Sequence, residues 1–293
     1  MRRVRAFVAA ACLLALACLT ACGTAAPAAR SGSGEASSAT ATSATTSANA
    51  DGSTAKTPSK TVVVGYESYP PSCFLDEAGN PSGIDMDIAT EAFKRLGLTP
   101  VFKEIDWIDK DDLLAAGEID CVWCSFSMLG REDDYTWAGP YMCSDEVVVV
   151  SEGSPITSLA DLNGKIVGVA ATTEPERVLL DRPSADIPDV ESVCSLQDAS
   201  LLYSSLLKGY VDAIATHRLA AEQYIADYGV NARILDEPLV HVKVGVAFAK
   251  DTTSTVPSRL DRTLSSMKRD GTIKRILSRY VEDPDDFLEV DDE

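Results

Sequence analysis

Arg131 is the side chain in this sequence with the clearest capacity for ligand chemistry. It lies in the run Gly130-Arg131-Glu132-Asp133-Asp134. A guanidinium presents a planar fork of N–H donors that binds a carboxylate through two parallel hydrogen bonds, and a water-poor cleft strengthens that pair. Spacing alone favours a plainer role, in which Arg131 balances neighbouring acids at a helix start, because exposed ion pairs of this kind are common.

Five cysteines follow residue 60, and an exported chain favours disulfides. Two of them, Cys121 and Cys124, form a C-x-x-C motif of the kind found in redox and metal sites. In the strand predicted here, residues three apart point to opposite faces and are separated by roughly 10 Å, which is too far for a bridge. We therefore regard the motif as incidental, and the pairing stays open among Cys73, Cys121, Cys124, Cys143 and Cys194.

The chain contains two histidines, His217 and His241. Neither forms a cluster of metal-ligand spacing with cysteines or acids. The sequence therefore predicts no metal site and no cofactor.

Residues 1–21 have the pattern of a secretory signal, with three arginines before an apolar stretch at residues 6–19 and small residues before Cys22. The apolar stretch is shorter than the roughly 20 residues of a membrane-spanning helix. The run LTACG at residues 19–23 resembles a bacterial lipobox, whose cysteine is acylated and becomes the mature N-terminus. We predict a lipoprotein signal peptide and lipidation of Cys22; cleavage without lipidation and a permanent transmembrane anchor are the alternatives.

Residues 22–60 are predicted to be the lipidated cysteine followed by a flexible tether. The segment after Cys22 is nearly all Ser, Thr, Ala and Gly, with no aromatic residue. Such a composition cannot bury enough apolar surface to offset the entropy of ordering. The tether would let a folded domain stand off the membrane, so the predicted location is extracytoplasmic and lipid-anchored to the cell membrane.

The charge of the chain excludes one class of partner. Removal of the three signal arginines leaves 23 basic against 45 acidic residues, a net charge near −22. A surface of this sign repels nucleic acid and bare anionic lipid. We therefore predict no nucleic-acid partner.

Short β-branched runs alternate with helical patterns after residue 60, which predicts an α/β fold with a parallel sheet. The clearest helix carries Ile84, Ile88 and Phe93 on one face and stops at Gly97. The other predicted helices cover residues 200–208 and 260–280, the second interrupted at Asp270-Gly271. The predicted strands cover residues 61–64, 146–150, 165–169, 211–214 and 242–249.

Several short segments stand in a recognisable order. They are Tyr69-Pro70-Pro71, GNPSGIDMDI at 79–88, GEID at 117–120, Ser127, Arg131, GPY at 139–141, DLNGKIVGV at 161–169, GYVDA at 209–213 and DGT at 270–272. In this order they resemble the family 3 bacterial solute-binding proteins, the amino-acid binders of ABC importers. The resemblance covers essentially all of residues 61–280, and its specificity comes from the ordered set.

The resemblance implies a type II periplasmic-binding-protein fold, with two α/β lobes joined by a two-strand hinge. Lobe 1 would comprise residues 61–150 and 242–293, and lobe 2 residues 151–241. Closure about such a hinge buries a small polar solute between the lobes and creates a shape that a transporter can recognise. The implied function is the substrate-binding component of an ABC importer, a monomer without catalysis that captures a small carboxylate-bearing solute, an amino acid or close analogue, and delivers it to a membrane permease.

The same resemblance assigns Arg131 to the ligand carboxylate. Ser125 and Ser127 lie where the family binds the solute at a strand exit, although either hydroxyl could instead cap the following helix. Thr172 and Thr173 match a loop whose donors reach the carboxylate as the lobes close, and backbone N–H groups at such a strand-to-helix turn suit an anion.

Tyr69 matches a position where an aromatic ring covers the ligand, although a Tyr-Pro-Pro turn could equally be scaffold. The pocket is expected to differ in shape from the family's, since Ser72 stands where an aromatic residue often follows the prolines. Trp123 and Phe126 could restore aromatic surface to the pocket, but in a buried strand run both are more simply predicted to be core residues.

His217 departs from the family pattern. Family members commonly place an aspartate there to pair with the α-ammonium group of the ligand, and a histidine cannot supply that negative charge. Either the ligand lacks the ammonium group or another acid replaces the aspartate, with Glu67 and Glu174 as candidates. An aspartate restored at position 217 is expected to improve the binding of zwitterionic amino acids.

Two other classes of function stay open at this level. One is an enzyme on the same fold, such as a dehydratase of the cyclohexadienyl type, with Glu174, His217 and Arg131 as acid, base and anion clamp. The other is a ligand-dependent partner of a membrane sensor kinase. Turnover of the ligand would distinguish the enzyme from the transport receptor. Gene neighbourhood would distinguish the partner of a sensor kinase from the transport receptor.

Overall fold

The computed structural model describes residues 61–288. The predicted signal peptide, Cys22 and the tether lie outside these residues, as do positions 289–293 of predicted lobe 1. Within residues 61–288, no helix combines the length and the apolar character that crossing a membrane requires.

The strands confirm the predicted runs with shifted ends. They are β1 Thr61–Tyr66, β2 Phe74–Leu75, β3 Pro81–Ser82, β4 Thr99–Glu104, β5 Cys121–Ser127, β6 Tyr135–Ser151, β7 Ile166–Ala170, β8 Ser192–Leu196, β9 Ala213–His217, β10 Ala232–Ile234 and β11 Val240–Ala249. The largest difference is in β6, which begins at Tyr135, eleven residues before the predicted Glu146. Strand β9 begins two residues after the predicted Val211 and continues to His217.

The helices are α1 Ile84–Arg95, α2 Lys110–Ala116, α3 Glu174–Asp181, α4 Leu201–Leu207, α5 Arg218–Tyr228, α6 Val256–Arg269 and α7 Thr272–Leu277. The predicted interruption at Asp270-Gly271 separates α6 from α7. Gly271 has a φ of 75°, a left-handed conformation that glycine adopts without a Cβ penalty. Helix α1 buries Ile84, Ile88 and Phe93, as its spacing predicts.

Nine strands form one mixed sheet in the order β4-β1-β5-β11-β6-β9-β7-β8, with β10 beside β6. Pairing is parallel at both ends, where β1 contacts β4 and β5 and β7 contacts β8 and β9. In the centre, β11 and β6 run antiparallel to each other and to their neighbours. The prediction of a parallel sheet is therefore wrong for the centre, because hydrophobic patterning does not specify strand direction.

Successive side chains in the second half of β6 alternate between two hydrophobic clusters, one on each face of the sheet. Val147 and Val149 pack into the hydrophobic cluster that contains Leu202 of α4, whereas Val148 and Val150 pack into the cluster that contains Val178 of α3. Successive strand residues point to opposite faces, so a run of valines is buried on both sides. A separate cluster packs α1, α6 and α7 against β1, β5 and β11.

Candidate functional site

One cavity lies where β5, β7 and β9 end beside the loop that follows β1. It holds about 590 Å³ of empty space, its opening to solvent included. All eight residues that the sequence assigns to ligand binding line it: Glu67, Tyr69, Ser125, Ser127, Arg131, Thr172, Thr173 and His217. The structure therefore brings the predicted set together, and ligand contact by each member stays a prediction.

Arg131 points into the cavity and pairs with Glu174, the first residue of α3. Its Nη1 lies 2.6 Å from Glu174 Oε2, and its Nη2 donates to the carbonyl oxygen of Thr172 at 3.3 Å. The guanidinium carbon lies 5.6 Å from the centre of the Phe126 ring. Among the described residues, no ion pair joins Arg131 to Glu132, Asp133 or Asp134, so the plainer role suggested by spacing is wrong.

Glu174 is shared between two arginines. Its second oxygen lies 2.5 Å from Arg177 Nη2, and the Glu174 side chain is only 1% exposed. A guanidinium has five N–H donors. Because the contacts of Arg131 in the described chain use only its two terminal nitrogens, donors remain for an incoming carboxylate.

The end of β5 has an unusual backbone that a buried carboxylate holds in place. Ser125 has a φ of 42°, a conformation that non-glycine residues rarely adopt. Asp85 of α1 accepts a hydrogen bond from the Ser125 backbone N–H at 2.6 Å and another from the Tyr141 hydroxyl at 2.7 Å. Burial raises the pKa of Asp85 to about 6. This role was not predictable from the local sequence, because an acid in the first turn of a helix is ordinary.

The two serines differ in their contacts. The Ser125 hydroxyl donates to Ser72 Oγ at 2.7 Å, so its alternative role as a helix cap is not observed. Ser127 is buried, and its hydroxyl accepts the backbone N–H of Leu129 at 3.3 Å, which is a local turn contact. Phe126, between them, is buried in a cluster and also lines the cavity, so both roles considered for it from the sequence are compatible with its position.

On the opposite wall, Thr172 and Thr173 lie between β7 and α3. Thr172 has a φ of 60°, and its backbone N–H donates to Glu176 Oε2 at 2.6 Å, so this donor already has an anionic partner. The Thr173 hydroxyl donates to the carbonyl oxygen of Ala170 at 2.6 Å. Backbone strain of this kind clusters at ligand sites.

Lys110 is a neighbour of the cavity that sequence reasoning missed. The residue is only 3% exposed, and its Nζ donates to Thr172 Oγ1 at 3.2 Å and lies 5.2 Å from the centre of the Trp107 ring. Burial lowers the pKa of Lys110. No signal could have found it, because a lysine followed by Asp111 and Asp112 reads as an exposed helix start.

Tyr69 connects the β1 loop to β9. Its hydroxyl lies 2.8 Å from Thr216 Oγ1 and accepts the backbone N–H of His217 at 3.3 Å. We predict that Tyr69→Phe weakens ligand binding about five-fold, because loss of one neutral hydrogen bond across the cavity costs about 1 kcal/mol. The measurement is the dissociation constant by calorimetry. Tyr210→Phe, at an exposed tyrosine, is the control, and equal affinities for the two variants would refute the contact's role.

Three glutamates line the cavity, and the sequence singled out two of them. Burial raises the pKa of Glu67 to about 7, against an opposing backbone hydrogen bond from Trp107. Glu174 is ion-paired with Arg131 and Arg177. Glu146, which was missed, is 4% exposed, and burial together with the charge of Glu174 raises its pKa to about 8. An acid beside four buried valines in a strand was the available signal.

His217 ends β9 and is 3% exposed. Within the described chain, neither ring nitrogen has a hydrogen-bond partner. Burial lowers the pKa of His217 to about 4, so the ring is neutral near pH 7. Buried polar atoms without partners are rare and require an explanation.

The cysteines near the cavity differ from the expectation of an oxidised domain. Cys73, Cys121, Cys124 and Cys194 are free thiols in the described chain. Cys121 and Cys124 lie in different hydrophobic clusters, as the strand argument predicts, whereas Cys73 and Cys124 share one. Their pairing in the exported protein stays open.

Comparison with known proteins connects this cavity to a family. Residues 62–283 match the model of the bacterial extracellular solute-binding proteins, family 3. The L-cystine-binding protein TcyJ of Escherichia coli (strain K12) is 28% identical over 75% of this chain and 82% of its own length. The histidine-binding periplasmic protein of Salmonella typhimurium is 26% identical over 80% and 92%.

Solved structures agree with the sequence comparison. An ancestral arginine-binding protein bound to arginine has a TM-score of 0.68 at 29% identity, covering 75% of this chain and 98% of that one. The substrate-binding protein of an amino acid ABC transporter has a TM-score of 0.67 at 26% identity, covering 76% and 100%. Since the family match spans most of the chain and the fold is shared, this chain belongs to the family 3 bacterial extracellular solute-binding proteins.

Proposed function

We propose that this protein is the substrate-binding component of an ABC importer and captures an amino acid or close analogue in the described cavity. The observation that carries the proposal is a single cavity lined by Arg131 together with Glu67, Glu146 and Glu174. Paired charges of both signs suit a zwitterion. The relatives named for cystine, histidine and arginine support the same class of solute.

The division into lobe 1 (61–150 and 242–293) and lobe 2 (151–241) is part of the proposal. Three contacts would then join the lobes across the cavity: Arg131 with Glu174, Lys110 with Thr172, and Tyr69 with Thr216. We assign the arrangement in which these contacts are made to a closed state of the two proposed lobes. Closure would bury the solute and complete the surface that a permease recognises.

A thermal-shift panel tests the proposed solute class. A ligand at 100 times its dissociation constant adds about 2.7 kcal/mol of stability, which corresponds to roughly 5–10 °C for a domain of this size. We expect such a shift with at least one L-amino acid and none with sugars or nucleotides. A panel without any amino-acid response would refute the proposal.

We also propose that the protein binds its solute without converting it. Glu174, the general acid in the enzyme alternative, has one carboxylate oxygen paired with Arg131 and the other with Arg177, which supports a structural role for this side chain. Mass spectrometry of the solute after prolonged incubation with the protein tests this. Recovery of the solute unchanged is expected, and a product would support the dehydratase alternative.

The lipid anchor is proposed from the sequence at residues 19–23. Cys22→Ala should move the protein from the membrane fraction to the soluble extracytoplasmic fraction, because loss of the acyl chains removes about 0.8 kcal/mol of membrane affinity for each buried CH₂. Cell fractionation and immunoblotting measure the change. Cys18→Ala, within the apolar stretch, is the control, and retention of the Cys22 variant in the membrane would refute lipidation at this position.

A further inference from the structure

Glu146 and His217 face each other on neighbouring strands at the wall of the cavity. They are register partners in the antiparallel pair of β6 and β9. Residues directly opposite in such a pair have their side chains on the same face of the sheet, with Cβ atoms about 5 Å apart. Both side chains are buried, and both line the cavity.

Two acids near Glu146, Asp145 and Glu174, are already paired with cations. Asp145 lies 3.0 Å from Arg218 and 2.6 Å from His241. Glu174 lies between Arg131 and Arg177.

Glu146 differs from these acids. No ion pair or side-chain hydrogen bond involves its carboxylate within the described residues. Glu146 is therefore a buried acid facing the cavity without a cationic partner, and such a group is costly unless something pairs with it.

His217 has the complementary feature. Its ring is neutral, and both nitrogens lack partners in the described part of the chain. A neutral imidazole offers one nitrogen that accepts a hydrogen bond. An ammonium group has three donors, so it can reach both the carboxylate of Glu146 and the free nitrogen of His217.

We propose that Glu146 and His217 together form the position that binds the ammonium group of the ligand, with the negative charge supplied from β6 instead of from residue 217 on β9. This inference rests on the proposed function and deepens it. The solute must then carry a protonated amine as well as a carboxylate. Dicarboxylates and keto acids lack the cation that would pair with an ionised Glu146.

The proposal also predicts a proton linkage. Three charged groups act on the ionisation of Glu146 from the elements around it: Glu174 and Asp145 oppose it and Arg131 favours it, whereas neutral His217 adds no charge. Burial holds the Glu146 pKa near 8, so the empty site is largely protonated at pH 7. An arriving ammonium group stabilises the ionised form, so binding should release most of a proton at pH 7.

Calorimetry with a matched pair of ligands tests the assignment. The pair is the tightest-binding amino acid of the panel and its analogue without the amino group. Wild-type protein should prefer the amino acid at least about 100-fold. Equal affinities for the two ligands would overturn the proposal without needing any variant.

Variants distinguish a specific role of Glu146 in binding the ammonium group from a general effect of substitution on the pocket. Glu146→Gln should weaken binding of the amino acid at least about 30-fold and binding of the analogue less than about three-fold. It should also abolish the proton release on binding, which is measured by calorimetry in buffers of different ionisation enthalpy. Glu152→Gln, at an exposed glutamate six residues further on, should match wild type. The double variant E146Q/H217D returns the acid to β9 and should recover most of the affinity.

The outcomes distinguish the two claims. If wild-type protein binds an amino acid and Glu146→Gln weakens both ligands equally or neither, the ammonium assignment is wrong and the proposed function stands. If no amino acid binds wild-type protein, the proposed function fails and the assignment fails with it. If E146Q/H217D binds the amino acid as weakly as Glu146→Gln does, an acid at position 217 cannot replace the one at position 146, which would also contradict the assignment.

Discussion

Arg131→Ala is expected to weaken amino-acid binding at least 100-fold. The substitution removes the guanidinium that faces the cavity, and hydrogen bonds from a charged donor to a carboxylate contribute about 1.5–3 kcal/mol each. Loss of two of them corresponds to a factor of 100 or more. Arg131→Lys keeps the charge but loses the planar fork, so an intermediate loss of roughly ten-fold is expected. Isothermal titration with the preferred amino acid measures both.

Arg177→Ala is the matched control for this experiment. Arg177 pairs with the same Glu174 at 2.5 Å but does not line the cavity. Its removal disturbs the shared carboxylate and leaves the guanidinium of Arg131 in place. Affinity within about five-fold of wild type is expected. If the two alanine variants lose affinity equally, the effect comes from Glu174 and the carboxylate clamp is wrongly assigned.

Asp85→Ala is expected to destabilise the fold by about 3 kcal/mol at pH 5. The change leaves the Ser125 backbone N–H and the hydroxyl of fully buried Tyr141 without their acceptor, at about 1–3 kcal/mol each. Burial raises the folded-state pKa of Asp85 from 3.8 to about 6. Its favourable contribution is therefore fully present below pH 3.8 and is lost as pH rises through 6. The destabilisation should be about 1 kcal/mol smaller at pH 8 than at pH 5.

Urea unfolding of the variant and of wild type at the two pH values measures this difference. Asp87→Ala is the control, because Asp87 lies on the same helix but pairs with Arg279 at 3.0 Å near the surface. Its cost should stay near or below 1 kcal/mol, as is usual for exposed pairs. An Asp85 variant as stable as the Asp87 variant, or one whose deficit grows with pH, would contradict the role assigned to Asp85.

Local patterns in the sequence predicted part of the fold, including α1, α4 and the pair α6 and α7, whereas α2, α3 and α5 were not predicted. The apolar spacing from Ile84 to Phe93 predicted α1, and Gly97 marked its end. Asp270-Gly271 predicted the break between α6 and α7 because the chain there needs a left-handed residue. The antiparallel pairing of β6 with β11 was not predictable in this way, because strand direction depends on contacts between segments about 100 residues apart.

The candidate site was predictable where a family motif marks it, and not elsewhere. Arg131 and Thr173 stand in motifs, and both line the cavity. Lys110 and Asp85 look locally like ordinary helix-start residues, and only the tertiary fold buries them. Glu146 carried a local signal, an acid beside four valines in a strand, but that signal does not place it in the site. Its position next to His217 depends on the register of β6 and β9, which no local pattern encodes.

The register changes one expectation drawn from the sequence. An aspartate at position 217 was expected to improve the binding of zwitterions. With Glu146 directly opposite, His217→Asp would place two buried acids side by side, and like charges raise each other's pKa. The single substitution should therefore give little or no gain, whereas the same substitution together with Glu146→Gln should restore binding.

The most direct test of solute binding is calorimetric titration of the purified chain, stripped of retained solute by unfolding and refolding, with arginine, histidine, glutamine and cystine. The account predicts saturable, one-to-one binding of at least one of them with a dissociation constant of about 1 μM or tighter, lost in Arg131→Ala. Absence of saturable heat with every amino acid, or binding that Arg131→Ala leaves unchanged, would contradict it.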